Sequence, residues 1–288
     1  MPTFEHVARD LSDPRQGFAL GPSTSPEVLC ELQRINDKID GTSEVTVHRT
    51  LGDSTRETAR SVDLALKQLL SPVIDQVLPD HLPVLGTLVS KAPQRSSLVE
   101  FHHDWTFTDE RIHRAVMIWI PLIDVDSRNG ALQVIQGSHA WTNGIRPSTT
   151  RKGPTMDHQV ELAALASTID MRAGSLLIYD PALIHGSGPN EGADPRPAAV
   201  VAAVPRRATL LHFHETDAAL EGFQVDESFF TTKPFESRPD GFPPVEPWTA
   251  SVRPEDIAAG IGRTRAAAGQ PSEPMVSLRR FPAFRRRR

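Results

Sequence analysis

The sequence predicts a mainly β chain with flanking helices, folded as a single jelly-roll domain. Three observations predict it. The chain has 288 residues, enough to bury a large core without disulfide staples. Helical periodicity is confined to roughly the first 83 residues. From residue 84 onward, short apolar runs alternate with turn residues, the pattern of a β sandwich or barrel.

Residues 25–40, SPEVLCELQRINDKID, read as an amphipathic helix. Ser25 suits the N-cap and Pro26 the first helical position, while Val28, Leu32, Ile35 and Ile39 share one face. A second helix begins near Ser54 and Glu57, a capping-box pair, and carries Val62, Leu66, Leu69 and Leu70 at helical spacing until Pro72 breaks or restarts it. Residues 1–83 are therefore expected to be mainly helical and to pack on the barrel.

The core is expected over 84–234. Its candidate strands are 84–91, 97–103, 115–123, 131–136, 175–180, 183–186, 198–204 and 209–214. Eight strands suffice for a jelly roll. The stretch 140–170 reads as an insertion, either a lid over a site or a variable loop. Beyond residue 234 prolines are dense and no periodicity returns, so 235–288 is expected to be an extended Pro/Arg-rich segment, partly disordered.

Charge and composition narrow the function. The net charge is −5, although six arginines crowd the last ten residues, RRFPAFRRRR, so the rest of the chain is more acidic than the total suggests. That balance speaks against a nucleic-acid partner, and the arginine run reads as a solvated end. A single cysteine, Cys30, excludes an internal disulfide framework and fits a reducing compartment, with the cytoplasm as the default. No apolar run reaches spanning length, and the N-terminal stretch MPTFEHVARDLSDPR lacks an apolar centre, so neither membrane partner nor signal peptide is expected.

The chemistry starts at FHHDWTFTDE, residues 101–110. Successive side chains of a strand alternate faces, so His102 and Asp104 project to one side and His103 to the other. An imidazole and a carboxylate so placed supply two of the three ligands of a 2-His-1-carboxylate triad, which leaves coordination positions open on Fe(II). The third ligand must be another histidine. Of the eleven in the chain, His185 fits best, because it closes an apolar strand and enters a Gly-rich turn. Eleven residues later, Arg196 enters an apolar strand, where a buried cation requires an anion. Its planar fork suits a carboxylate. An open metal site with a carboxylate-binding arginine one strand away is what 2-oxoglutarate needs.

These residues carry a resemblance. HHDW at 102–105, WIPLIDVDSRNGALQVIQGSH at 119–139 and IHGSGPN at 184–190 followed by Arg196 make the run 101–205 similar to the phytanoyl-CoA dioxygenase family of non-haem iron, 2-oxoglutarate-dependent oxygenases. The resemblance implies a double-stranded β-helix, cupin-like core. It implies Fe(II) held by His102, Asp104 and His185, with 2-oxoglutarate and O2 as cosubstrates. Arg196 would take the distal carboxylate of 2-oxoglutarate, assisted by Ser187, with Trp119 packed near it. His103, Glu100 and Trp105 are candidates for the substrate pocket or for support of the ligands. His103 replaces a frequent glutamine and Gln136 a usual proline, and neither change removes a ligand.

The carboxylate of Asp104 also separates this chain from related halogenases, which lack it. The implied activity is hydroxylation, or another oxidation, of a small organic molecule, a natural-product or acyl/amino-acid intermediate, with release of succinate and CO2. The alternative is a non-catalytic jelly-roll protein that binds a small molecule. A nucleic-acid demethylase is suggested only by the arginine tail. Some residues have plainer readings: Trp119 as core, His139 as part of a turn, and His212 and His214 as packing or solvent-facing residues.

Overall fold

Alternation along the strands builds the layers of this molecule. The computed structural model describes residues 4–39, 45–93, 96–148, 153–234 and 236–268. Thirteen strands are assigned there: β1 (Phe18–Ser23), β2 (Val47–Arg49), β3 (His81–Lys91), β4 (Val99–His102), β5 (Val116–Pro121), β6 (Leu132–Val134), β7 (Ser167–Thr168), β8 (Ser175–Tyr179), β9 (His185–Ser187), β10 (Arg196–Pro205), β11 (Leu211–Glu215), β12 (Leu220–Gln224) and β13 (Pro244–Val245). They form an antiparallel six-stranded sheet in the order β1-β8-β5-β10-β3-β2, a four-stranded sheet β4-β9-β6-β7, and a three-stranded sheet β11-β12-β13.

Strand β5 is buried on both faces, and its residues divide by parity. Met117 and Trp119 enter the core between the sheets, with Leu132 and Val134 of β6 and Leu177 and Tyr179 of β8. Val116, Ile118 and Ile120 face the other way, into a second core with the helices. A period of two thus gives a three-layer arrangement: helices, large sheet, small sheet.

The helices are α1 (Phe4–Ser12), α2 (Pro26–Asp37), α3 (Thr50–Asp53), α4 (Arg56–Val77), α5 (Gln159–Ala163), α6 (Phe229–Thr232) and α7 (Pro254–Ala268). Ser25 caps α2 by accepting from Val28 N–H. Thr55, one residue beyond the expected Ser54, caps α4 in the same way. Pro72 lies inside α4 without ending it, because Leu70, Ile74 and Val77 continue the buried stripe on both sides of it. Their burial outweighs one missing backbone hydrogen bond. Asp63 of α4 reaches the sheet, accepting from the Gly86 N–H at 2.7 Å.

All eight expected strands are present. The first 83 residues also carry β1 and β2, which edge the large sheet. The C-terminal expectation needs correcting: 235–288 is not extended throughout, since α7 buries Ile257 and Ile261 against Phe101, Ile135, Leu162 and Ile184. Its weak amphipathicity hid it, because small residues occupy much of the helix. The arginine run and residues 149–152 of the insertion lie outside the described residues. The described part of 140–170 holds two short 3-10 turns, α5 and β7.

Candidate metal centre

The small sheet places the two predicted histidines opposite each other. β4 pairs antiparallel with β9, and His102 faces His185 in the register, their rings 4.4 Å apart by centroids. Each ring is oriented by its own strand. His102 Nδ1 lies 2.8 Å from the Glu100 carbonyl, and His185 Nδ1 lies 2.9 Å from that of Leu183. With Nδ1–H donated to those carbonyls, both Nε2 lone pairs are free for a metal. Burial, and then the neighbouring His185, push the His102 pKa down to about 4, so this imidazole is neutral at pH 7.

Asp104 completes the group. It lies beyond the end of β4, so strand alternation does not place it; its N–H instead donates to the Pro181 carbonyl at 2.9 Å. One ligand atom each from His102, Asp104 and His185 lies within 4.8 Å of the others. Asp104 Oδ2 is 3.7 Å from His185 Nε2. The GSH turn supports this end of β9, for Gly137 takes the left-handed conformation (φ +76°) and Ser138 Oγ accepts from the Ile184 N–H at 2.7 Å.

A second cluster lies where β10 pairs with β3 and β5, and Lys91 of β3 reaches from it to Ser187 of β9. Arg196 opens β10 and is 2% exposed. Its Nε and Nη1 have no hydrogen-bond partner among the described residues. Its Cζ sits 5.4 Å from the centroid of the Trp119 ring, so Trp119 is both core and a wall for the guanidinium. Burial lowers the Arg196 pKa to about 10, which leaves it charged at neutral pH.

Residues 27–198, well over half of the chain, match the phytanoyl-CoA dioxygenase (PhyH) family. The chain belongs to the phytanoyl-CoA dioxygenase family. As a member, it is an Fe(II)- and 2-oxoglutarate-dependent enzyme, and the donor set described above is of the kind that binds iron. Solved structures share the fold. The epimerase SnoN, in complex with Fe3+, alpha-ketoglutarate and nogalamycin RO, is 17% identical, with 86% of this chain and 95% of that chain covered and a TM-score of 0.55. The carbocyclase SnoK from nogalamycin biosynthesis is 21% identical, over 72% of this chain and 88% of that chain, with a TM-score of 0.51. Both likenesses are to the fold alone. A comparison with curated proteins finds no match.

Within this phytanoyl-CoA dioxygenase family chain, the remaining sequence candidates take varied places. Ser187 is buried on β9, and its Oγ accepts from Lys91 Nζ at 2.8 Å. The Glu100 side chain is exposed, and only its carbonyl serves the site. His103 is outside the converging group; its Nε2 is buried with no partner among the described residues. Trp105 is half-buried and stacks on Phe230 at 6.5 Å. His212, by contrast, is a packing residue, buried at 2.9 Å from Ser148 Oγ. No helix among the described residues is long and apolar enough to cross a membrane.

Two residues escaped the sequence reading. Lys91 is fully buried directly opposite Arg196 in the β3–β10 register. Its Nζ donates to Ser187 Oγ, to the Ser187 carbonyl at 3.3 Å and to the Gly188 carbonyl. Burial, and then Arg196 and Arg49, bring its pKa down to about 7. Tyr179, the one tyrosine of the chain, donates to Asp104 Oδ2 at 3.1 Å and lies 3.4 Å from His185 Nε2. Burial pushes its phenol pKa well up, so it remains a neutral donor. The available signals were a lysine ending an apolar run and a lone tyrosine before an aspartate.

Proposed function

We propose that this enzyme hydroxylates, or otherwise oxidises, a small organic substrate, a natural-product or acyl/amino-acid intermediate, with release of succinate and CO2. The observation that carries the reading is the pairing of the His102, Asp104 and His185 group with a buried arginine that has unpartnered N–H groups. An isolated buried guanidinium is costly, and a carboxylate in its fork relieves that cost. The donor set and the arginine fit both cofactors. His102, Asp104 and His185 would hold Fe(II), and Arg196 would take the distal carboxylate of 2-oxoglutarate. Bound iron supplies activation of O2 coupled to decarboxylation of the cosubstrate.

The chain's own residues have the supporting tasks. The carbonyls of Glu100 and Leu183 fix the imidazole tautomers, and Tyr179 donates to the ligand carboxylate, keeping its orientation. Trp119 walls the arginine from the core, while Lys91 adds positive charge and steadies Ser187. His103 and Trp105 would line the substrate side. A carboxylate at 104 leaves no ligand position for halide, so hydroxylation is the default outcome. Single Cys30 is consistent with the cytoplasm as its place.

The test is a titration of metal-free protein with Fe(II) under argon, with and without 2-oxoglutarate, followed by succinate measurement in air. A metal-to-ligand absorption that requires both additions, and is lost in Asp104→Ala and Arg196→Met, is the expected result. Protein that binds neither Fe(II) nor 2-oxoglutarate would end the proposal and favour a non-catalytic binding protein.

A further inference from the structure

Asp104 stands outside any strand, so something other than a sheet must hold its backbone. Its N–H is fixed by Pro181, and its carbonyl accepts from Arg146 Nε at 2.9 Å. Arg146 is 4% exposed and comes from the 140–170 insertion, 42 residues away along the chain. Its other guanidinium nitrogens grip the Glu110 carboxylate, Nη1 at 3.0 Å from Oε2 and Nη2 against Oε1. Nη1 also reaches the Gly144 carbonyl at 3.4 Å. The backbone repeats the clamp: Thr106 N–H donates to the Arg146 carbonyl at 3.0 Å, and Arg146 N–H donates to Thr106 Oγ1 at 3.1 Å.

Residues 104 and 110 are thus tied to the Arg146 side chain and residue 106 to its main chain, and Trp105 is caught between two of them. The clamp is anchored in turn. Ile145 exchanges backbone hydrogen bonds with Ala250 and Val252, and Ser148 N–H donates to the Phe213 carbonyl at 3.1 Å. A fold could cover this loop with apolar residues at less electrostatic expense, since a buried ion pair often stabilises no more than an apolar pair of the same volume. What an apolar pair cannot do is hold a carbonyl in one place.

We propose that Arg146 is a positioning residue of the metal centre: with Glu110, its guanidinium fixes the backbone of Asp104, while its main chain holds Thr106 on the same loop. This rests on the reading of Asp104 as a metal ligand. A lysine would not substitute, because the contact uses three nitrogens of a planar fork.

The test uses Co(II) alone, added to metal-free full-length protein and followed by its visible d–d absorption. The proteins compared are wild type, Asp104→Ala, Arg146→Lys and the double variant Arg146→Met/Glu110→Gln, with circular dichroism and melting as the folding control. The double variant removes both charges of the pair, so it is built to keep the fold while losing the clamp. The expected result is a Co(II) affinity lower by about tenfold or more in both Arg146 variants, the scale of losses when a group supporting a ligand is removed. Their d–d bands should also shift. Wild-type affinity and spectrum in both variants, while Asp104→Ala loses binding, would overturn the proposal. If Asp104→Ala itself binds Co(II) as wild type does, the ligand reading is what fails. Unfolding of the double variant also counts against the proposal, because the pair would then be serving the fold.

Discussion

Arg196 shows how a single residue can argue for a ligand. It is a cation buried to 2% exposure whose neighbours leave Nε and Nη1 without partners among the described residues. Arg196→Met should therefore raise the melting temperature of the ligand-free protein by a few degrees, equivalent to about 1 kcal/mol or more, because a desolvated charge disappears. The same variant should abolish the thermal shift produced by 2-oxoglutarate. Differential scanning calorimetry reads both, and a lower ligand-free melting temperature contradicts the account. Lys91 yields a pH dependence. Its pKa is down to about 7 in the ligand-free protein, and a bound dianion beside it favours the charged form. Below pH 7 the ammonium is already present; above it, binding must take up a proton. Affinity for 2-oxoglutarate should therefore weaken as pH rises through 7, by at most about tenfold per pH unit for one group. Calorimetry in buffers of different ionisation enthalpy measures the uptake, and Lys91→Met should remove it. From the sequence alone, Arg196 stood out because the chain around it is apolar, whereas Lys91 read as an ordinary strand end. Only the β3–β10 register brings the two together.

At the scale of elements, α7 is where local signal and packing disagree. PEDIAAGIGRTRAAA contains two glycines and a narrow apolar face, and glycine lowers helix propensity by about 1 kcal/mol relative to alanine. By propensity, Gly260→Ala should stabilise the protein. Its packing says otherwise, since a Cβ at Gly260 would fall inside the Trp141 indole. The clash outweighs the propensity gain, so Gly260→Ala should lower stability by about 1–3 kcal/mol, the usual penalty of overpacking. Gly262, whose Cβ would meet nothing within 4 Å, is the control, and Gly262→Ala should be neutral or stabilising in urea denaturation. The strands of the core were legible because their parity is regular. Strands β1, β2, β7, β12 and β13 were not, being short or interrupted by glycine and proline, and their pairing is created by the sheet they join.

Across the whole molecule, metal and cosubstrate would bind residues from both sheets of the jelly roll: His102 and His185 from the small sheet and Arg196 from the large one. Ligands that bridge two layers and bind only the folded state stabilise the entire domain. Co(II) with 2-oxoglutarate at about 100 times its dissociation constant should add about 2.7 kcal/mol to unfolding, and a chelator should reverse the gain. A melting temperature unmoved by both together would show that the two clusters do not form one site. The sequence by itself determined the mainly β class and the helical start, and it named the two histidines with their aspartate and the arginine as candidates. These are written in residue type and short-range spacing, where chemistry and periodicity are directly readable. Tertiary structure alone decided that Asp104 is held by Pro181 and Arg146, that Tyr179 and Lys91 join the site, and that α7 covers the strand before His102. Those contacts join residues far apart in the chain, and their energies come from burial and register, which exist only once the sheets have closed.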